Sequence, residues 1–236
     1  MSDSVIPLKL SAVSGVEEET VAPRVGRKGA RTRSALLRAA REVFEDKGYL
    51  DTRVVDVAVA AGVGHGTFYT YFTSKETIFV EVANEVAASL YHAFNIAPSL
   101  KADQRIRATN HRYIEFYQQN ARMMALIEQV TLFTPTLRQL RESMRRHFAE
   151  RIEGALRRMN QLDLLPAPHL DPFIAAHALG GMVDDLCFTW FVMEVEFDHD
   201  SVLDTVDRIW LRSCGVEETG ESIREPTGLL ADGNRG

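Results

Sequence analysis

The segment that most constrains the fold is Val54-Val55-Asp56-Val57-Ala58-Val59-Ala60-Ala61-Gly62-Val63-Gly64-His65-Gly66-Thr67-Phe68-Tyr69-Thr70-Tyr71. Two short helices crossing at roughly 90–120° need a small residue where their axes approach, a glycine in the turn, and apolar residues clamping both to a third helix. Ala58 is the small residue, and Gly62 falls at the turn, where a positive φ is expected. Val57, Ala61 and Val63 supply one apolar inner side, and Phe68 and Tyr71 the next. The run therefore reads as a helix-turn-helix. The competing reading, a buried strand entering a nucleotide-binding glycine loop, fails because position 67 is Thr and no βα repeats follow.

Helical periodicity covers the rest, and no strand alternation of convincing length is present, so the fold class expected is all-α. The first helix is read over about Thr32–Lys47, with Thr32 as N-cap, Ala39/Ala40 and Val43/Phe44 on one face, and Gly48 as terminator. Short helices follow at about Val54–Ala61 and His65–Phe72. A longer one, capped by Thr73 or Ser74, runs through Phe79, Val82, Val86 and Leu90 towards Pro98. Further helices are expected at about Asp103–Gln119, Ala121–Phe133, Pro135–Gln161, Pro172–Val195 and Asp200–Cys214, with a loop at Pro166-Ala167-Pro168. The domains expected are a disordered leader over 1–23, a helix-turn-helix domain over 24–74, a larger helical domain over 75–215 and a disordered tail over 216–236.

Composition excludes more than it selects. No apolar run approaches about 20 residues, which argues against a membrane span, and the N-terminus lacks the pattern of a secretory signal. Cys187 and Cys214 have no metal or redox spacing and suit a reducing cytoplasm. The seven histidines are scattered, with no nucleophile elbow and no phosphate loop, so neither an enzyme, a cofactor nor a metal is expected. The net charge is −6, yet Arg24, Arg27, Lys28, Arg31, Arg33, Arg38, Arg41, Lys47 and Arg53 crowd one stretch. A basic face on an acidic protein is the electrostatic footprint of phosphate binding.

The run from Arg33 to Phe79 resembles the DNA-binding domain of the tetracycline-repressor (TetR) family. The resemblance is carried by Ala39-Ala40, Phe44, Gly48-Tyr49, Thr52, Val57-Ala58, Ala61-Gly62-Val63, Gly66-Thr67-Phe68-Tyr69, Tyr71-Phe72 and Ser74-Lys75-Glu76. It implies an all-helical homodimer whose third helix enters the major groove and whose C-terminal domain binds a small molecule and dimerises. It also implies that Tyr69 bonds a phosphate, that Lys75 grips the DNA backbone, and that Gly66 allows close approach to the groove. Two departures are visible: Arg53 stands where the family usually has Thr or Ser, and Gly64 where a small hydroxyl residue is common.

The DNA-facing residues expected are Thr52, Arg53, His65, Gly66, Thr67, Tyr69, Thr70, Tyr71 and Lys75. Thr hydroxyls can reach base edges or phosphates, and His65 is placed to read a base. Arg24–Arg33 reads either as an arm along the DNA or as a flexible leader. A dimer would read the two half-sites of a palindromic operator on double-stranded DNA. Helix 172–195 is apolar nearly all round and, with Val202–Leu211, is the dimer-interface candidate; Asp184 and Asp185 within it need partners or solvent. Cavity walls are expected among Phe94, Tyr113, Phe116, Tyr117, Met123, Met124, Phe133 and Phe148, for a mainly apolar effector with Tyr113 or Tyr117 as polar anchor. The functional expectation is a repressor released from its operator by that effector; the alternative is a ligand-independent DNA-binding or architectural protein.

Overall fold

In the computed structural model, residues 26–94, 96, 97, 99–161 and 170–216 are described. The expected leader, nearly all of the expected tail, Arg24, Pro98 and the Pro166-Ala167-Pro168 loop lie outside the described residues. The described residues form helices and no strand: α1 (Arg27–Asp51), α2 (Val54–Ala60), α3 (His65–Tyr71), α4 (Lys75–Ala93), α5 (Ala102–Thr131), α6 (Pro135–Gln161), α7 (Pro172–Phe191) and α8 (His199–Ser213).

The helices differ from the sequence expectations in three places, each with a physical reason. First, α1 begins five residues before Thr32, whose hydroxyl bonds back to the Lys28 carbonyl (3.2 Å) from inside the helix and so does not cap it. Its far end continues past Gly48, where the backbone breaks from helical geometry at φ 79° and resumes for one short turn. Second, the two helices expected on either side of Asn120 are one. The Asn120 amide donates to the Phe116 carbonyl (2.8 Å) and its oxygen accepts from Arg41, so a residue that often ends helices is satisfied inside this one. Third, α7 stops at Phe191, before Val195.

Other ends follow the sequence. Ser74 caps α4 by accepting from the Thr77 N–H (3.1 Å). Asp171 and Asp198 do the same for α7 and α8, through the N–H groups of Ile174 and Ser201, each at 2.9 Å.

α5 is the hub: it packs against α1, α4, α6, α7 and α8, while α3 rests on α2 and α2 on α1. The buried side chains form one continuous cluster from Leu36 in α1 to Trp210 in α8 and Cys214. Its N-terminal part is aromatic: Phe79 meets Phe44 edge-on at 4.8 Å and Tyr49 at 4.8 Å. α1 thus links the α2–α3 pair to the main body.

Candidate nucleic-acid interface and effector cavities

The α2–α3 turn is closed by the hydrogen bonds of a Schellman cap. The Gly62 N–H donates to Val59 O and the Val63 N–H to Ala58 O, both at 3.0 Å, with Gly62 at φ 68°. Val57, Ala58, Phe68 and Phe72 are buried beneath the pair, so its inner side is fixed. The outer side of α3 is then determined: His65, Gly66, Thr67, Tyr69 and Thr70 are all exposed, whereas Tyr71 is only half-exposed against the core. The His65 and Tyr69 rings, one helical turn apart, touch edge-on at 5.1 Å. The absence of a side chain at Gly66 is not demanded by this fold, since a Cβ there would meet nothing within 4 Å.

The two departures resolve differently. At Arg53 the cap is supplied from inside the helix: the Arg53 N–H donates to the Asp56 carboxylate (2.9 Å), which also pairs with Lys47 (3.1 Å). The Arg53 N–H and Lys47 hold the Asp56 carboxyl below its ordinary range. The Arg53 side chain is left at the surface. Gly64 caps α3 without any side-chain acceptor.

Two expected DNA contacts are placed elsewhere. Thr52 is buried, and its hydroxyl donates to Gly48 O (2.7 Å), closing the break at the end of α1. A side chain so placed cannot face DNA. The Lys75 ammonium donates to Tyr49 O (2.7 Å) and Leu50 O (3.1 Å) and lies 4.5 Å over the Tyr49 ring. It saturates carbonyls at the end of α1, and burial lowers its pKa. Part of the basic stretch is likewise committed within the protein. Arg33 pairs with Glu81, Arg41 with Glu45 and Asn120, and Lys47 with Asp56. Arg27, Lys28, Arg31, Arg38 and Arg53 remain exposed.

Of the expected cavity walls, Phe94, Tyr113 and Phe148 line cavities. Phe116, Tyr117, Met123 and Met124 are packed into the core away from both cavities. Phe133, also expected as a wall, is 51% exposed beyond the end of α5, packs against Tyr49 and lines neither of the two cavities.

One cavity, of about 520 Å³, lies between α4, α5, α6 and α7 and is walled by Leu90, Tyr113, Met144, Phe148 and Phe188. Its floor is a charge network that sequence reasoning missed. Arg141 holds Asp184 through two bonds (3.0 and 2.7 Å) and Glu128 through Nε (2.5 Å), and the Tyr113 hydroxyl donates to Asp184 (2.6 Å). Burial works against the Arg141 charge, but Asp184 and Glu128 outweigh it and raise its pKa. Burial and the Asp184 charge push the Tyr113 hydroxyl well up. Tyr113, expected as a polar anchor, thus lines the cavity with its hydroxyl proton directed at Asp184. Tyr117, the other candidate anchor, has a buried hydroxyl without a partner among the described residues, but it lines neither cavity. The sole advance signal was Asp184, an acid in an apolar helix.

A second cavity, of about 540 Å³, lies between the end of α4, α5, α6 and α8, with Phe148 as the wall shared by the two.

Residues 36–82, from the middle of α1 into α4, match the family model of bacterial regulatory proteins, tetR family. Over that segment the chain is similar to the TetR family. Its relatives include an uncharacterised HTH-type transcriptional regulator, YdgC, of Bacillus subtilis (strain 168), 40% identical over 58 residues. That match spans 25% of this chain and 30% of YdgC. The fatty acid metabolism regulator protein of the same organism is 23% identical over 167 residues, 69% of this chain and 85% of that protein. Among solved structures, a transcriptional regulator FadR from Bacillus subtilis, in complex with stearoyl-CoA, superposes with a TM-score of 0.60 at 20% identity, covering 76% of this chain and 98% of that one. At that identity the likeness establishes the fold: the described residues are all-α, with the helix-turn-helix at the N-terminal end. YdgC and the FadR neighbour are both named as transcriptional regulators.

Proposed function

We propose that the chain represses transcription by binding a palindromic operator as a homodimer through α3, and that a mainly apolar small molecule releases it. The observation that carries this reading is the exposed row His65, Gly66, Thr67, Tyr69 and Thr70, held rigid by Phe68 and Phe72 beneath it. Donor, acceptor and methyl groups on one exposed helix face are what base-edge and phosphate recognition requires. The exposed cations Arg27, Lys28, Arg31, Arg38 and Arg53 supply the sequence-independent attraction to phosphate. The DNA-binding unit is 24–74 and the effector and dimerisation unit 75–215.

Dimerisation through α7 and α8 is supported by apolar side chains exposed in the single chain, among them Phe173 (55%) and Ile174 (66%) at the start of α7 and Ile209 on α8. The effector half is supported by two cavities in the size range of ligand pockets. The relative named for fatty acid metabolism and the neighbour bound to stearoyl-CoA favour an acyl-chain effector. No described helix is long and apolar enough to cross a membrane, in keeping with work in the cytoplasm.

The test is selection of duplexes from a randomised pool by the purified protein, followed by titration of the selected DNA with acyl compounds. An inverted-repeat motif released by an acyl compound is expected. A motif without inverted symmetry contradicts the dimer, and binding unaffected by any compound that raises the melting temperature favours the ligand-independent alternative.

A further inference from the structure

The cavity between α5, α6 and α8 has a chemistry its neighbour lacks. Phe94, Ile106, Leu156, Met159 and Trp210 make its walls apolar, while Arg105, Arg151 and Arg158 line it against one acid, Glu150. Among the described residues Arg105 and Arg158 form no ion pair. Arg151 donates to Phe94 O (2.6 Å) and lies 5.6 Å over the Phe94 ring. These cations stand close enough for Arg105 and Arg158 to add to the effect of burial in lowering the Arg151 pKa. In the other cavity the corresponding cations, Arg141 and Arg145, are neutralised by Glu128 and Asp184. A second unmet demand lies in the same walls. Trp210 is 5% exposed, and its indole N–H has no hydrogen-bond partner among the described residues. A buried donor of this kind ordinarily has an acceptor.

We propose that this cavity is the effector site and that its occupant is an amphipathic anion, a refinement that rests on the effector reading above. The apolar chain lies over Phe94, Ile106, Leu156 and Trp210, and a carboxylate or phosphate head is held at the mouth by Arg105, Arg151 and Arg158. Mutual repulsion of three guanidinium groups is relieved by one anion, and charge-assisted bonds fix which end of the chain faces out. Phe148, stacked between Phe94 (5.1 Å) and Tyr113 (4.7 Å), closes the inner end towards the second cavity.

The chain has two tryptophans, Trp190 and Trp210, so a Trp190→Phe variant makes Trp210 fluorescence a reporter of this cavity alone. That variant is titrated with dodecanoate, dodecyl phosphate and dodecanol, each below its micelle concentration and without DNA. Both anions are expected to change the emission and to bind at least about tenfold tighter than the alcohol; the tighter of the two identifies the head as carboxylate or phosphate. Arg105→Gln with Arg158→Gln, at two exposed side chains, is expected to abolish that preference and leave dodecanol unchanged. Equal binding of the alcohol, or a preference untouched by the double variant, overturns the proposal. Because DNA is absent, binding here without operator release would sink the regulatory reading alone. Release of operator by these anions without any change at Trp210 would sink this site alone.

Discussion

Arg41 of α1 donates from Nη2 to the Asn120 side-chain oxygen in α5 at 2.9 Å, a hydrogen bond between the helix that carries the α2–α3 pair and the helix on which α4, α6, α7 and α8 pack. Asn120 is buried and also bonds the Phe116 carbonyl, so its position is set by α5 itself. Were α5 to shift around a ligand, this contact would carry the shift to α1. Asn120→Ala is expected to cost about 1–2 kcal/mol of stability. It is also expected to shrink the effector-induced loss of operator affinity by about 0.5–2 kcal/mol, measured as anisotropy titrations with and without effector. Unchanged coupling would remove Arg41–Asn120 from the route.

Lys75 is expected to act on stability. Lys75→Met loses the bonds to Tyr49 O and Leu50 O and the contact with the Tyr49 ring, which predicts a loss of about 1–2 kcal/mol in urea unfolding. A lysine serving only phosphate would instead leave stability alone and lower the salt dependence of DNA binding by about one ion.

The Arg141–Asp184 pair is nine-tenths hidden on the arginine side, with 5% of that side chain exposed. Arg141→Met leaves Asp184 with Tyr113 and a long contact to Arg145, and a destabilisation of about 3–5 kcal/mol is expected. Adding Asp184→Leu should recover a large part of it, because the uncompensated buried charge then disappears. A double-mutant cycle by thermal unfolding measures this; purely additive losses would show that the two residues do not act as a pair.

How much of this was legible beforehand depended on the physics involved. The helix-turn-helix was readable because a turn needing positive φ selects glycine, and Gly62 sits at φ 68°. The partners of Thr52 and Lys75 within the protein were not legible, because a hydroxyl or ammonium beside a helix end serves a backbone carbonyl as well as a phosphate. Only the Gly48 break, which exposes carbonyls at the end of α1, decides between them. That Phe133 and Tyr117 line neither cavity was not legible for a related reason: aromatic spacing marks an inner face without telling core from cavity. The Arg141–Asp184–Tyr113 floor joins three helices distant in sequence, and no local pattern encodes it.

Stability is expected to fall on the alkaline side. Burial pushes up the pKa of Tyr113, Tyr117 and Cys187, and that of Cys214 to about 11. In the unfolded chain thiols ionise near about 8.5 and phenols near about 10. Each folded value lies above its unfolded one, so the unfolded chain releases protons first as pH rises. The contribution is complete below about pH 8.5 and, for Cys214, is lost progressively up to about 11. Melting temperatures across this range should decline, and Cys214→Ala should decline less steeply. A flat profile in the unsubstituted protein would contradict the burial of these groups.

The most direct test of α3 as the DNA-reading helix is the operator affinity of Gly66→Ala, measured beside its melting temperature. A methyl group at this position meets open space in the protein, and alanine is favoured over glycine in a helix by about 0.5–1 kcal/mol. The account predicts a protein at least as stable as the original whose operator binding is weaker by about tenfold or more, because the methyl group stands where the groove must approach. Undiminished affinity in that stable variant would contradict it.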